Sequence, residues 1–576
     1  MKASKKRGFT IIELVIVIAV IAILAAVLIP TFANIIQKAN VANDVALARN
    51  MNTILIADEA TNGRSTDMYD VLIALEQGGF KLENLNPRAD GNVFAWDKAN
   101  NQIVYLEKGS TKPIFQAKEI GANKGDLYIT TRKAEVFADY PGYSYYFASD
   151  ISGDITLDEG SCLDTGEFAL NGNVSVKTNK DVEIQGTING TITVDSANGK
   201  ITNYSVVENV VIKNTAATSY HERGHVAAME IQNSLKGKVV LENDAYVEKL
   251  TNNGTSGTVE SKGYVKVVDD SSSDDSVTAT ESGYVLEIGT YDQLVNFRNK
   301  VNAGASYSGM TVNLTADIDI SERAWTPIGA AYRDKIDANA KVFQGTFDGQ
   351  GHKITGLTNT GFMISSVFKG SNSTTPAGYS EYVFGLFGSV YNATIKNIVM
   401  ANVNVDLACD EKEKVVGDSV GAIVGFAAGD NDKGVTIDSC KVLSGSIVGY
   451  DAVAGIIGRT YSAKTTISNC ENAATVTAIR RACGILGFAR FSDAKDVAIT
   501  GCKNSGNVKQ TGTPTTDPAG KGQEGNYGYY MVAGLAIYQK GSGNEITITG
   551  SSNTGTVTLT VPAGEGKNKS DTVWYY

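Results

Sequence analysis

The chain has 576 residues, including 60 glycines and nine prolines, and its formal net charge at neutral pH is −11. This length predicts roughly two to four domains, and many glycines with few prolines indicate a turn-rich β architecture rather than a disordered chain. Phosphate binding needs a basic surface, and no basic stripe with interleaved aromatic residues is present. We therefore expect no nucleic-acid partner.

The first element is an apolar segment that follows three basic residues at positions 5–7. Every residue from Leu14 to Ile29 is apolar, and Glu13 is the one charge in the wider run that ends at Pro30. A secretory signal peptide would carry a small-residue cleavage site after its apolar region. Here the processing point, Gly8-Phe9, comes before it, so cleavage would leave the apolar segment in the mature chain. An ordinary signal anchor explains the hydrophobicity but not this combination.

These features closely resemble the prepilin signature of type IV pilins and their pseudopilin relatives. The matching parts are a short basic leader that ends at Gly8, then Phe9, a glutamate at the fifth mature position (Glu13) and a proline at the twenty-second (Pro30). The resemblance implies partners: a prepilin peptidase/N-methyltransferase that acts at Gly8-Phe9, and other pilin subunits. It also implies that Glu13 pairs with the free amine of Phe9 on a neighbouring subunit. The alternative is that Glu13 lies among lipid headgroups.

Residues 1–8 are thus the predicted leader, and residues 9–60 a transmembrane and assembly helix. The stretch from Phe9 to Ile29 spans about 30 Å as a helix, close to the thickness of a bilayer core. Pro30 lacks a backbone donor and should kink or locally open the helix. An apolar stripe continues from residue 35 to 55, and the helix should stop before Asn62-Gly63.

Residues 61–150 are predicted to form a small α+β pilin headpiece. Asp67–Leu75 reads as a short helix, and two runs with β-type residues, 93–97 and 102–107, flank an Asn-rich turn and predict a hairpin. The aromatic cluster at 140–147 has two interpretations. It is a sugar-binding platform, or it is a boundary strand with half of its rings buried.

The six cysteines form no C-x-x-C pair, so zinc ribbons and thioredoxin-like chemistry are unsupported. Many Gram-negative pilins close their C-terminal region with a disulfide, and the pilin portion of this chain has no such pair. By that resemblance, the sequence favours a Gram-positive source.

Residues 151–268 contain short β-type runs separated by Gly, Asn and Asp, which predict a β-rich domain, most like the coils of a parallel solenoid. Residues 269–283 are acidic and Ser-rich and read as a linker. From residue 284 to 576 the chain carries internal repeats, in which three short strands end at Cys440, Cys470 and Cys502. Equivalent positions should stack about 4.8 Å apart, with each cysteine as a small buried apolar group. Disulfides or a metal site are the alternatives.

The second half of the chain also resembles bacterial surface proteins with GLUG-type right-handed β-helices. The matching features are residues 314–320, 325–329 and 343–354, followed by the Gly-rich repeats, so the resemblance covers roughly residues 284–560. It implies an adhesin or surface module and no single activity. Larger gaps between repeats predict inserted loops near 406–418 and 510–529, and insertions in solenoids tend to build the binding face.

One motif has the form of a zinc site. His221-Glu222-x-x-His225 matches H-E-x-x-H, which on a helix places two imidazoles on one face with a general base beside them. The extended pattern with a third histidine fails, the flanks read as strands, and Gly224 disfavours a helix. We therefore predict no metal and no cofactor, and keep these three residues as the zinc alternative.

The sequence as a whole predicts a multidomain protein: a long N-terminal helix with a small headpiece, then a mostly-β region that ends in a parallel β-helix. By resemblance, this is a non-enzymatic type IV pilin-like subunit whose head adheres to a surface or polysaccharide. We expect a minor or tip subunit of the filament rather than its major subunit. It would reside in the cytoplasmic membrane before assembly and then in an extracellular pilus. The alternatives are a secretion-system pseudopilin and a surface-anchored enzyme, either a polysaccharide lyase or hydrolase or a zinc peptidase.

Overall fold

The computed structural model describes residues 11–65, 67–80, 85–109, 112–158, 161–215, 219–232, 235, 237–254, 258–269, 278–280, 284–321, 324–329, 336–337, 340–359, 369–370, 380–408, 415–430, 432–461, 464–490, 496–512, 530–539, 546–560 and 573–575. The chain divides into two compact units, Met1–Asn171 and Gly172–Tyr576. Each unit is described below by itself.

The first unit combines one long helix with a small α+β headpiece. Its helices are α1 (Ile11–Asn62), α2 (Met68–Gln77) and α3 (Glu135–Asp139). Its strands are β1 (Val93–Asp97), β2 (Gln102–Leu106), β3 (Pro113–Phe115), β4 (Leu127–Thr131), β5 (Ser144–Phe147), β6 (Ile151–Ser152), β7 (Ile155–Leu157) and β8 (Leu163–Asn171).

The predicted local elements of the headpiece are confirmed. Strands β1 and β2 pair antiparallel with Trp96 opposite Ile103, and Asn101 takes a left-handed conformation at the end of their turn. The side chain of Asp67 caps α2 by accepting from the backbone N–H of Asp70 at 3.0 Å. Helix α1 ends at Asn62, next to Gly63 with φ of 86°. It also continues through Pro30 as one helix, so the expected opening there does not interrupt it.

The aromatic cluster at 140–147 is a correction to both interpretations of the sequence. All five rings are buried, with no more than 5% of each exposed, so the cluster is neither a sugar platform nor a half-exposed strand. The reason is that other side chains cover the rings: Phe137 of α3 packs on Tyr145 and Phe147, Tyr140 packs on Tyr143, and Tyr146 belongs to the core under α1 and α2. The rings belong to Tyr140, Tyr143, Tyr145, Tyr146 and Phe147.

The second unit begins with a stack of short parallel strands, here called the first stack. Two columns run side by side, and each rung repeats after about 19 residues, as from Ile201 to Tyr220. One column is β10–β11–β13–β15–β17 and the other is β9–β10–β12–β14–β16–β18, every pairing parallel. Its strands are β9 (Val174–Val176), β10 (Val182–Ala197), β11 (Ile201–Asn203), β12 (Val206–Thr215), β13 (Ser219–Glu222), β14 (His225–Ile231), β15 (Lys238–Leu241), β16 (Tyr246–Asn252), β17 (Val259–Ser261) and β18 (Tyr264–Asp269).

A second stack of parallel strands follows, opened by β19 (Val285–Ile288) and by helix α4 (Tyr291–Ala303). Sheet I contains β19, β20 (Thr311–Leu314), β22 (Thr346–Asp348), β27 (Thr394–Lys396), β32 (Val435–Asp438), β37 (Thr465–Ser468), β42 (Val497–Thr500) and β47 (Ile546–Thr549). Sheet II contains β21 (Ile318–Asp319), β23 (Lys353–Thr355), β28 (Val399–Ala401), β33 (Lys441–Val442), β38 (Glu471–Asn472), β43 (Lys503–Asn504) and β48 (Ser552–Asn553). Sheet III contains β29 (Val403–Leu407), β34 (Gly445–Gly449), β39 (Thr475–Ala478), β44 (Val508–Gln510) and β49 (Val557–Leu559).

Two further sheets complete this second stack. Sheet IV contains β24 (Lys369–Gly370), β25 (Ser380–Phe384), β30 (Val415–Gly421), β35 (Val453–Ala454), β40 (Arg481–Cys483) and β45 (Met531–Ala533). Sheet V contains β26 (Phe387–Tyr391), β31 (Val424–Ala428), β36 (Ile457–Tyr461), β41 (Leu486–Arg490), β46 (Ala536–Gln539) and β50 (Val573–Tyr575). The first pair of sheet IV and the last pair of sheet V are antiparallel, and the other pairings are parallel. The parallel sheets are compatible with the predicted solenoid.

Each of the last five corners between sheets I and II, from β27–β28 to β47–β48, contains one residue with a left-handed backbone. These residues follow the end of the sheet I strand and turn the chain toward sheet II, a conformation that Gly and Asn adopt most easily. They are Asn397, Ser439, Asn469, Gly501 and Gly550, with φ between 53° and 66°.

The repeated cysteines follow these corners and lie in the core, as the spacing predicts. Cys440, Cys470 and Cys502 are fully buried free thiols, and the hydrogen bond with Cys440, together with burial, raises the pKa of Cys470. Cys409 lies outside the described residues, as do residues 409–414 of the predicted loop at 406–418 and residues 513–529 of the one at 510–529.

The second stack also encloses charges, which the sequence did not reveal. Asp451 accepts from Arg481 Nε at 2.7 Å and from Arg459 Nη2 at 3.3 Å, and Arg459 Nη2 also donates to Asp418 Oδ1 at 3.0 Å. All four side chains are at most 8% exposed. The guanidinium groups hold the pKa of Asp451 well below its usual range, although burial alone would raise it.

Helix α4 joins the two stacks of this unit and was absent from the sequence predictions. It is capped by Thr290 at its start and by Gly304, with φ of 130°, at its end. Lys300 Nζ contacts the backbone carbonyl of Asp244, in the turn between β15 and β16, and Asn296 Nδ2 donates to Asp244 Oδ2 at 2.8 Å. Tyr284 adds a contact from its hydroxyl to the carbonyl of residue 243.

Candidate assembly helix

The N-terminal part of α1 presents uncovered apolar side chains on its whole circumference. From Ile11 to Ile36, its large apolar residues are between 46% and 81% exposed. A helix that is apolar all round needs an apolar environment, either lipid or other protein helices. Gly8 and Phe9 lie outside the described residues, and so does the side chain of Glu13, whose backbone is part of α1.

In the part of the chain that the structure describes, one helix is long and apolar enough to cross a membrane. This candidate span is Leu14–Thr61, whose most apolar window has a mean hydropathy of 3.1 and no burial against the rest of the chain. By length and composition, the segment therefore meets the requirement for a membrane span.

The C-terminal part of α1 has a different environment, because it packs on the headpiece. Ala48, Met51 and Leu55 are at most 1% exposed and lie in one core with residues of α2, β1 and β2. Their spacing is that of one helical face, which the predicted apolar stripe contained. The same helix thus changes from fully exposed to one-sided burial along its length.

Two polar residues on that buried face fix the helix to the headpiece. The carboxylate of Asp44 accepts from the backbone N–H groups of Arg88 at 2.8 Å and Ala89 at 2.9 Å, and from the Tyr105 hydroxyl at 2.9 Å. Burial raises the pKa of that hydroxyl. Asn52 exchanges two hydrogen bonds with the backbone of Ile103, at 2.7 and 2.8 Å.

Sequence reasoning missed both polar anchors. The available signal was their position: Asp44 and Asn52 interrupt the apolar face that Ala48, Met51 and Leu55 define. A polar residue on a buried face needs a partner, and here each one has backbone partners in the headpiece.

Comparison with known proteins agrees with this helix. A family model for the prokaryotic N-terminal methylation motif matches residues 3–29. The type IV major fimbrial protein FimA of Dichelobacter nodosus is 33% identical over 112 residues, which are 18% of this chain and 69% of that protein. The chain belongs to the type IV fimbrial protein family.

Two further members of the type IV fimbrial family show how much of the chain is shared. FimA of Dichelobacter nodosus strain VCS1703A is 35% identical over 94 residues, 16% of this chain and 57% of the relative. The fimbrial protein of Moraxella nonliquefaciens is 44% identical over 98 residues, 16% of this chain and 63% of the relative. Each alignment thus spans about three fifths of the relative's length. No solved structure matches the chain.

The H-E-x-x-H motif of this fimbrial family member lies on two strands rather than on a helix. The carboxylate of Glu222 is buried and accepts from Asn203 at 3.0 Å, from Tyr220 Oη at 2.6 Å and from the backbone of Gly224 at 2.6 Å. This burial raises the pKa of Glu222 to about 7. Its three donors occupy the carboxylate that a zinc peptidase would use as its base.

The two imidazoles of the motif have separate partners. His221 Nδ1 lies 2.7 Å from Glu242 Oε1, and His225 Nε2 lies 3.1 Å from Glu248 Oε1. Among the described residues, no group of three or more His, Cys, Asp or Glu side chains is arranged to hold a metal ion. The geometry therefore does not favour the zinc alternative.

Proposed function

We propose that this chain is a subunit of a type IV filament that displays a large β head. The observation that carries the proposal is the change of environment along α1. Its N-terminal part is apolar and uncovered, whereas the residues from Asp44 onward hold the headpiece. Such a helix suits two successive environments, a bilayer before assembly and a bundle of sister helices afterwards, because both are apolar.

The proposed assembly chemistry uses three residues. A prepilin peptidase cleaves after Gly8, Phe9 becomes the methylated N-terminus, and Glu13 pairs with the amine of Phe9 on a neighbouring subunit. A carboxylate near one end of an apolar helix is costly unless it is paired, and the charged amine would be its partner. Support comes from the methylation-motif match over residues 3–29 and from the fimbrial relatives.

The proposed head is a parallel β-helix formed by the second stack, with the first stack as an additional solenoid beneath it. Support comes from successive strands that pair in parallel and in register over several rungs, as in β27, β32, β37 and β42. We divide the mature chain as the sequence suggests, with a headpiece at 61–150 and β regions at 151–268 and 284–576. A head of this size cannot pack at every position of a thin filament, which favours a minor or tip subunit with an adhesive role.

The test of assembly is Glu13→Ala in cells that form filaments. We expect normal membrane insertion, because the substitution increases apolarity, and at least a tenfold loss of the chain from sheared filaments, because the subunit register is lost. Lys38→Ala is the matched control: it removes an exposed charge from the same helix outside the apolar run and should leave incorporation unchanged.

Mass spectrometry of the same filaments gives the second readout. The chain should begin at Phe9 with one added methyl group, and its copy number relative to the main subunit separates a tip position from a shaft position. Unchanged incorporation of the Glu13→Ala variant, or a chain confined to the membrane with its leader intact, would refute the proposed function.

A further inference from the structure

The second stack has an open polar groove of about 480 Å³ on the outside of sheet I. It lies at the corner where β26 of sheet V ends and β27 of sheet I begins. Ser308 and Gly309 border one side, and Tyr391 and Asn392 the other. Drug-sized ligands bind in largely apolar pockets, whereas this lining is mostly hydroxyl and amide.

The floor of the groove is a row of hydroxyl groups. Thr311, Thr346 and Thr394 occupy equivalent positions on β20, β22 and β27, which pair in parallel. Each threonine is half-buried, and the row repeats about every 4.8 Å along the stack. That repeat is close to the advance of one sugar ring along a glycan chain.

One wall holds a carboxylate in a fixed position. Asn392 Nδ2 donates to Asp430 Oδ2 at 2.7 Å, and the backbone N–H groups of Asp432 and Lys433 donate to Asp430 Oδ1 at 3.1 and 2.9 Å. These bonds lower the pKa of Asp430, so the group is charged at neutral pH. A carboxylate has about four acceptor sites, which leaves one for a ligand hydroxyl.

The second wall group is the ring of Tyr391. It is half-buried and packs against a small apolar cluster of Val383, Phe426 and Ala428, which fixes its orientation. An aromatic face beside polar groups is suited to a ligand with one apolar and one hydroxyl-bearing face. A pyranose ring has both.

We propose that this groove is a binding site for a neutral glycan chain, with one sugar ring against Tyr391 and neighbouring rings along the threonine row. The charges of the lining favour a neutral glycan. Lys433 is the one cation in the lining and lies beside Asp430. A phosphorylated or sulfated ligand would therefore find no cluster of cations. The inference rests on the proposed display function and names its ligand class.

The test uses the full chain in detergent on a printed array of neutral, sialylated and sulfated oligosaccharides, followed by titration with the best neutral glycan. Tyr391→Ala and Asp430→Asn should each weaken binding at least about tenfold, because each removes a direct contact. Tyr461→Ala and Asp496→Asn are the matched controls. Tyr461 packs on the same cluster two rungs away, Asp496 is exposed, and neither lines the groove.

Three outcomes would overturn the proposal. The first is that the wild-type chain, shown to be folded by its thermal melting transition, binds no neutral glycan on the array. The second is that both groove variants bind as tightly as the wild type. The third is that binding is limited to sulfated or sialylated glycans and disappears in Lys433→Ala. Failure of the proposed function is a separate result, because it is the absence of the chain from filaments, which the array does not measure.

Discussion

The two parallel stacks of the second unit have the same pairing but different interiors. A rung of the first stack takes about 19 residues, as from Ile201 to Tyr220, whereas rungs of the second take 26 or more, as the 26 from Val285 to Thr311 and the 30 from Thr436 to Thr466. The shorter rungs bury hydrogen-bonded polar groups together with one carboxylate: Asn203, Ser205 and Glu222 are all fully buried. The longer rung encloses a network of opposite charges. Among the described residues, the longer rungs thus bury paired charges, whereas the shorter rungs bury a carboxylate that is held by uncharged donors.

The largest effect should come from breaking the charge network in the second stack. Asp451→Ala leaves Arg481 and Arg459 buried with fewer partners, and we expect a loss of about 3–5 kcal/mol, because an uncompensated buried charge is costly. The measurement is amide hydrogen exchange of the full chain. Protection should fall in β30, β36 and β40, which carry Asp418, Arg459 and Arg481, and stay constant in the headpiece.

Asp432→Ala is the control for this loss, since it removes an exposed carboxylate on the same stack. If the two variants show equal protection in β36, the network does not stabilise the longer rungs, and the proposed difference between the stacks is wrong.

The next effect concerns the buried carboxylate of the first stack. The pKa of Glu222 is about 7 in the folded chain and about 4.3 in an unfolded one, so between these values the folded state binds the extra proton. Its contribution to stability is therefore complete below pH 4 and is lost as the pH rises to 7, by at most about 1.4 kcal/mol per pH unit. Burial lowers the pKa of Lys300 to about 8. Its contribution to stability therefore has the opposite pH dependence and increases as the pH rises above 8.

The urea midpoint measured from pH 4.5 to 7.5 tests this dependence. Glu222→Gln should flatten the profile, whereas Glu208→Gln, which changes an exposed carboxylate on β12, should leave it unchanged. Identical slopes for the wild type and Glu222→Gln would show that the buried carboxylate does not take up a proton on folding.

The smallest effect should come from the corners. In the described part of the first stack, Gly186 is the one residue with positive φ, whereas each of the last five corners between sheets I and II has one. Gly501→Ala forces a Cβ into a left-handed position with φ of 66° and should cost about 1–2 kcal/mol. Gly121→Ala, at an open position without positive φ, should be neutral in the same urea titration. Equal midpoints for the two variants would show that the corners tolerate any residue.

The sequence predicted those features that depend on local patterns. The apolar run, the short helix that begins near Asp67, the hairpin at Asn101 and the stacked cysteines follow from composition and spacing, and each is confirmed. Apolar stripes and turn residues act over a few positions, so one sequence is sufficient to read them.

Other features depend on distant partners, and the sequence did not reveal them. Asp44 bonds to residues more than forty positions away, and Arg459 contacts Asp418 across 41 positions. The rings at 140–147 are buried because α3 and the core of the headpiece pack on them, and no local pattern of the sequence indicates these partners. Helix α4 had local signals in Thr290 and Gly304, but the surrounding repeats favoured strands.

Helix α4 has a consequence for how the head responds to tension. Lys300, Asn296 and Tyr284 link the second stack to the turn at residues 243–244 of the first, so the two stacks are joined by side chains as well as by the peptide between them. Force applied to the second stack is therefore carried by these side-chain contacts as well as by the backbone. A single proteolytic cleavage between residues 270 and 277 would therefore leave the second stack attached to the first through these side-chain contacts.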